Sequence, residues 1–417
     1  MEIPKGYKQS KIGILPEDWD IKTISQITTV VTGATPSTDV KEYWGGNIPW
    51  MASGELNLKI VKSVQGRITK AGYNSASTHM IPPYCVLIGL AGQGKTRGTA
   101  AYNIIPLCTN QSIASILPQN DFCSKYLYYY LDSQYEYLRA LSSGDGGRGG
   151  LNLKLINNIT IPFPPIEEQK RIAAALTDVD ELIAALNQKI EKKRQIKEGA
   201  MQQLLTGKTR LPGFTEPWRD VQVGKIGYTY SGITGKSKKD FGQGDAQYIT
   251  FLNVLNNPVI NTAIFERVNI SPNEGQNAVQ KDDLFFNTSS ETPEEVGICS
   301  VLNEDIADLY LNSFCFGYRL TDTNVFGHYL AYFWRSKQGR YTMTKLAQGA
   351  TRYNLSKAYF NRVIITVPQT KKEQIAIVEV LSDMDEEIRQ LEEKRDKYTL
   401  VKQGMMQELL TGKIRLN

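Results

Sequence analysis

The chain has 417 residues, a formal net charge of +5, five cysteines and two histidines. That length supports two globular domains, and the mild positive balance permits nucleic-acid binding without demanding it. With no long apolar run, no basic-plus-apolar leader and no paired cysteine spacing, the sequence argues against a membrane span, an export signal, a disulfide framework and a zinc cluster. The expectation is a cytoplasmic protein with buried thiols, in which His79 and His328 are structural.

The first half opens on Leu15-Pro16-Glu17-Asp18-Trp19 and reaches a glycine at Gly33. Short alternating runs rich in Tyr, Ile and Val follow, separated by Gly, Asn and Pro, which predicts a β-rich body. An aromatic helical run at 125–133 recurs on helical spacing, so its rings are read as core. A polar glycine loop at 143–153 and a last β-rich run then lead into a long helix that begins near Pro165. The second half repeats this order: 211–218 ends at Trp218, Gly232 takes the place of Gly33, and residues 247–256 match 48–57. The aromatic helix returns at 328–336, the polar glycine loop at 348–356, and the second long helix follows Pro368.

The helical stretch 169–211 recurs without a gap as 374–416, with about half of the positions identical, including the run Leu-Leu-Thr-Gly-Lys at 204–208 and 409–413. Ile172, Leu176, Val179, Ile183, Leu186 and Ile190 alternate steps of four and three. Ile377, Leu381, Met384, Ile388 and Leu391 do the same, with Tyr398 a heptad beyond. This is the apolar seam of a coiled coil, and it predicts that the two helices pair with each other. Thr206-Gly207 and Thr411-Gly412 read as C-terminal stops. Gly199 and Gly404, at matched positions inside the helices, read as bends or close crossings. The fold class is therefore α+β: two similar β-rich globular domains separated by two long antiparallel coiled-coil helices, a pseudo-two-fold internal repeat. The boundaries are 1–164, 165–210, 211–367 and 368–417.

For chemistry, Gly89-Leu90-Ala91-Gly92-Gln93-Gly94-Lys95-Thr96 satisfies the phosphate-loop string and follows a strand-like Val86-Leu87-Ile88. A nucleotide-binding enzyme using Lys95 and Thr96 is thus the alternative function. The mechanism needs a helix starting at Lys95-Thr96, whereas Gly98, Thr99 and Pro106 favour a β return. Ile81-Pro82-Pro83-Tyr84 is close to the catalytic tetrapeptide of adenine methyltransferases but lacks its leading Asp or Asn. Phe241-Gly242-Gln243-Gly244 lacks a strand–turn–helix setting. No catalytic or metal-binding residue is assigned. The polar loops suit DNA better, because Arg and Lys contact phosphate or guanine while Asn and Gln read adenine. The candidates are Thr35, Ser37, Lys41, Gln93, Lys95, Arg97 and Arg148 in the first half. In the second they are Lys236, Ser237, Lys238, Lys239, Asn287, Thr351, Arg352 and Tyr353.

Leu15-Pro16-x-x-Trp19, Gly33-x-Thr35-Pro36-Ser37, Pro165-x-x-Glu168-Gln169 and the Leu-Leu-Thr-Gly-Lys tails resemble the specificity subunit of type I restriction–modification enzymes over essentially the whole chain. The resemblance implies two target recognition domains, at 1–164 and 211–367, each reading half of a split asymmetric site in double-stranded DNA. It implies that the helices set the gap and bind two modification subunits, with Leu204, Leu205, Met406, Leu409 and Leu410 as the expected partner surface. It places S-adenosylmethionine on those adenine methyltransferase partners, and ATP and magnesium on restriction subunits that translocate and cleave, leaving this chain non-catalytic and without a cofactor. Gly232-Ile233-Thr234-Gly235 departs from the first-half pattern, as does the longer helix entry at 368–374, and the second domain reads as a different recognition subtype; a second alternative function is a DNA-recognition subunit of a related system or an orphan.

Overall fold

In the computed structural model, the structure describes residues 3–92, 94–141, 150–271 and 273–416. The chain divides into two compact units, Met1–Asn187 with Lys394–Asn417, and Gln188–Glu393. This differs from the four consecutive segments expected from the sequence. Each long helix, Ile166–Leu204 and Lys371–Leu409, is shared between the units, its first and longer part in one and the rest in the other.

In the first unit a five-stranded sheet runs in the order Val30–Thr32, Ile113–Ile116, Val86–Gly89, Ala100–Asn103, Ile60–Val61, antiparallel except for the last pairing. Its central strands are buried on both faces, which explains their unbroken apolar character. Because side chains alternate along a strand, Val86 and Ile88 face the aromatic helix Ser124–Ser133. Leu87 faces a second core with Met51, Leu56 and Ile113. The aromatics of that helix are core, as read from their spacing: Tyr126, Tyr128 and Tyr129 are fully enclosed. A smaller sheet, Cys108–Thr109, Trp44–Met51 and Arg67–Ile68, lies beyond the second core.

The second unit repeats the plan. Its main sheet is ordered Gly227–Ser231, Cys315–Leu320, Leu284–Asn287, Cys299–Val301, all antiparallel. Leu284 and Phe286 face the helix Gly327–Arg335, while Phe285 faces the opposite core. Phe286, Phe316, Trp334 and Phe360 form a ring cluster with centroid spacings from 4.9 to 6.2 Å. Four of the five thiols are buried, and burial pushes Cys85 up to about 12 and Cys108 up to about 11, so neither is a thiolate at neutral pH.

Within each unit the segments of the two long helices run antiparallel. In the first, Arg171 Nε donates to Leu416 O at 2.6 Å and Lys402 pairs with Asp180 at 2.6 Å. In the second, Lys193 pairs with Glu387 at 2.7 Å, Lys197 with Asp385 and Arg194 with Glu392. The seam is more than a helix-to-helix contact. Ile172 and Leu176 join the core of the first unit with Leu409 and Leu410, and Ile377 and Leu381 join that of the second with Leu204 and Leu205. Leu186, Ile190 and Ile388 are also buried, while Val179, Ile183, Met384, Leu391 and Tyr398 are half-buried.

Both helices end as their sequences predict. Gly207 and Gly412 take left-handed φ values of 69° and 70°. Gly207 N–H then bonds back to Leu204 O at 3.4 Å and Gly412 N–H to Leu409 O at 3.3 Å, one bond of the pattern that ends a helix on a left-handed glycine. Gly199 and Gly404 are not close crossings, since a Cβ at either would meet nothing within 4 Å, and the helices run through them unbroken.

Candidate nucleic-acid interface

The main sheet of each unit ends in a cluster of loops. In the first unit, strands ending at Thr32 and Gly89 and starting at Ala100 and Ile113 bring together loops 33–40, 90–99 and 110–112. Several bonds hold them: Thr35 Oγ1 donates to Gln111 Oε1 at 2.6 Å, Trp50 Nε1 to Ala34 O at 3.0 Å, and Leu90 N–H to Ser112 O at 2.8 Å. Gly33 is required here, because a Cβ on it would lie 1.7 Å from Thr109 O. Gly232 meets the same obstacle in the second unit, where Asn312 O would lie 2.0 Å away. The matched glycines thus mark one backbone crossing made twice.

Several predicted DNA readers fall on these loops. Thr35 and Thr96 are half-buried, and Ser37, Lys41 and Lys95 are exposed. Arg97 is half-buried, and Arg139 reaches the loop by donating to Gly94 O at 2.7 Å. Gln93 and Arg148 lie outside the described residues. In the second unit Lys238, Lys239, Thr351 and Arg352 are exposed, and Tyr353 is half-buried in a short strand. Arg352 Nε donates to Ser289 Oγ at 3.2 Å, and Ser237 is tied up with the Asp240 carboxylate through both its N–H and its hydroxyl.

Two candidates are corrected. Asn287 is fully buried, its amide donating to Glu295 O at 2.7 Å and its Oδ1 accepting from Ile298 N–H at 2.6 Å, so it braces a turn and has no edge to offer a base. Lys236 is closed by an ion pair with Glu274 at 2.5 Å, and that hydrogen bond holds the Glu274 carboxyl below its usual range. The expected partner surface is also corrected. Leu204, Leu205, Leu409 and Leu410 are buried in the unit cores and Met406 packs against one of them, because each Leu-Leu-Thr-Gly-Lys tail folds onto a globular body.

The phosphate-loop string fails structurally. Val86–Gly89 and Ala100–Asn103 form an antiparallel hairpin, Gly98 N–H returns to Gly89 O at 2.9 Å, and no helix starts at Lys95 or Thr96. Amides that would converge on a nucleotide phosphate are therefore missing from the described part of this loop. The β return expected from Gly98 and Thr99 is what forms.

Sequence reading missed two exposed tips. Gln111 and Phe314 occupy the same loop of the two units, immediately before the strands Ile113–Ile116 and Cys315–Leu320. Phe314 is 57% exposed, and its backbone is anchored, the carbonyl accepting from Thr288 N–H at 2.9 Å and Thr288 Oγ1 at 2.8 Å. Their shared place before a matched strand was the available signal.

The family model for the type I restriction modification DNA specificity domain matches twice, at residues 16–193 and 216–398. The chain is 36% identical over 187 residues to the type I restriction enzyme MjaIX specificity subunit of Methanocaldococcus jannaschii, a match spanning 42% of this chain and 41% of that one. The putative MjaX specificity subunit of the same organism is 24% identical over 447 residues, covering 99% and 97%. The fold resembles the S subunit of a type I restriction–modification system from M. genitalium, with a TM-score of 0.59 at 15% identity over 98% of each chain. No helix among the described residues is long and apolar enough to cross a membrane. With the family model covering both halves, the chain belongs to the type I restriction–modification DNA specificity family, as a specificity subunit.

Proposed function

We propose that each loop cluster reads one half of a split, asymmetric site in double-stranded DNA. The observation that carries this reading is a duplicated sheet end dressed with different side chains: Gln111 and Lys95 in one unit, Phe314, Lys238 and Lys239 in the other. A glutamine can satisfy the adenine edge with two hydrogen bonds, whereas a phenylalanine favours the thymine methyl group. Equal frames with unequal tips favour two unlike half-sites.

The long helices set the unspecified gap between half-sites and carry two modification subunits. With the tail leucines buried, the contact surface moves to apolar positions that stay exposed at matched places in the repeat. Ile196 is 48% exposed and Val401 41% exposed, with Leu400 beside the latter. S-adenosylmethionine belongs to the modification subunits, ATP and magnesium to restriction subunits, and this chain holds no cofactor; the assembly works in the cytoplasm. Mapping N6-methyladenine across the genome of cells that carry this chain with its partners tests the reading. A two-part motif with a fixed gap is expected, and a continuous motif or a motif unaltered by deleting this chain would overturn it.

A further inference from the structure

The second unit holds a cavity of about 340 Å³ at its loop end, walled by residues 232–236 with Ser231, Thr288, Ser313 and Lys357. Lys357 crosses from the start of the helix Lys357–Phe360 to the end of the strand Gly227–Ser231. Its ammonium donates to Ser231 Oγ at 2.9 Å and stands 5.8 Å from the Phe316 ring. Among the described residues no carboxylate lies within ion-pair distance of it. The other lysine on the wall, Lys236, is already neutralised by Glu274.

Among the described residues the neighbours of this half-buried ammonium are a hydroxyl and a ring, which leaves it without a counter-charge that a ligand could supply. Burial lowers the pKa of Lys357, in keeping with that environment. The hydroxyls of Ser231, Thr234 and Ser313 add polar groups able to meet an oxyanion. The exposed Lys238 and Lys239 follow the wall residue Lys236 in the chain, and Ser313 and Cys315 of the wall flank the exposed Phe314.

We propose that this cavity seats a backbone phosphodiester of the second half-site, with Lys357 as its cation and Phe314 beside it against the adjoining nucleotide. The assignment rests on the DNA-reading function above and adds to it a specific anchoring contact. It also makes the two units unequal. In the first unit the segment leading into the final strand puts Leu151 and Ile156 in the core, as Leu355 and Phe360 are in the second, and Leu153 takes the place of Lys357. The first unit therefore lacks this lysine at the matched position.

The test measures binding of the full-length chain in its complex to a duplex carrying the cognate site, across a salt series. Lys357→Ala should flatten the plot of log affinity against log salt by about 0.9, the value for one phosphate contact, and weaken cognate and non-cognate duplexes alike. Lys357→Arg should keep the slope. A Lys357→Ala slope equal to that of the unaltered protein would overturn the proposal, and the DNA-reading function would still stand if the unaltered complex prefers its site. Loss of that preference in the unaltered complex would sink the reading itself. Inorganic phosphate at constant ionic strength should compete weakly with DNA and lose that effect in Lys357→Ala; phosphate that binds through Lys357 without lowering DNA affinity would make the cavity a free-anion site and overturn the assignment. An unchanged melting temperature for Lys357→Ala guards against a folding defect.

Discussion

The Arg415 guanidinium closes on the Glu168 carboxylate with two hydrogen bonds, Nε to Oε1 at 2.7 Å and Nη2 to Oε2 at 2.8 Å. Glu168 is only 2% exposed, and Trp19 Nε1 donates to it at 3.0 Å. The second unit builds the same clasp from Arg210, Glu373 and Trp218, with bonds of 2.5, 2.8 and 3.3 Å. In each case the arginine comes from the tail behind one long helix, the glutamate from the start of the other, and the tryptophan from the head of the globular body. Removing the arginine leaves a buried carboxylate uncompensated, which costs about 3 kcal/mol or more. Arg415→Met should therefore lower the denaturant midpoint, and Glu168→Gln should restore part of the loss in the double variant. A strictly additive double variant would show that the clasp does not couple the residues.

The helix segments are tied to the globular bodies by a second repeated device. Asp180 accepts from the Tyr129 hydroxyl at 2.8 Å while pairing with Lys402 at 2.6 Å, and that ammonium lies 5.5 Å from the Tyr129 ring. Asp385 accepts from Tyr332 at 2.8 Å while pairing with Lys197, 5.4 Å from the Tyr332 ring. Tyr129→Phe and Tyr332→Phe should each cost about 1 kcal/mol, the net worth of one hydrogen bond, with some increase for a charged acceptor. Chemical denaturation of the two variants should give similar losses. A loss at one site and none at the other would contradict the equivalence of the two devices.

The repeat was legible because identity over a helical stretch survives wherever both copies solve one packing problem. Ile172 and Ile377, Glu168 and Glu373, and Gly207 and Gly412 each do the same work twice. What a linear reading could not see was where the ends of the helices go. Leu409 and Leu410 look the same in sequence whether they face a partner or the chain's own first half, and only the fold brings them beside Trp19 and Ile172. Asn287 and Lys236 read as available for a related reason: a polar residue in a polar stretch looks free until its hydrogen bonds and ion pairs are known. Phe314 and Lys357 escaped notice because an isolated phenylalanine reads as core and an isolated lysine as solvated.

His328 gives the second unit a dependence on pH. Its ring stacks on Phe326 with centroids 4.9 Å apart, and Nδ1 stands 3.7 Å from Asp282 Oδ1. Burial lowers its pKa from 6.5, with repulsion from Lys281 adding to the shift and Asp282 opposing it. A histidine depressed in the fold takes up its proton more readily when unfolded. Its contribution is thus complete above the unfolded value near 6.5 and is lost as pH falls through the lower folded value. His328→Phe should flatten the decline in stability just below pH 6.5 relative to the unaltered chain. Parallel pH profiles for the two proteins would show that His328 does not titrate differently on folding.

The proposed spacing role of the helices makes the most direct prediction about function. Inserting seven residues into each long helix, after Asn187 and after Glu393, adds one heptad and so keeps the apolar seam in phase. Each helix gains about 10 Å at 1.5 Å per residue, close to three base pairs at about 3.4 Å each. Neither insertion touches the loop clusters, so both half-site sequences should persist while the gap between them grows. Adding a heptad to one helix alone should instead destabilise the protein, because Lys193–Glu387 and Lys197–Asp385 fix the pairing register. Methylation mapping with the doubly extended chain reads the gap directly. An unchanged gap in a stable, active double insertion would mean that something other than these helices measures the distance.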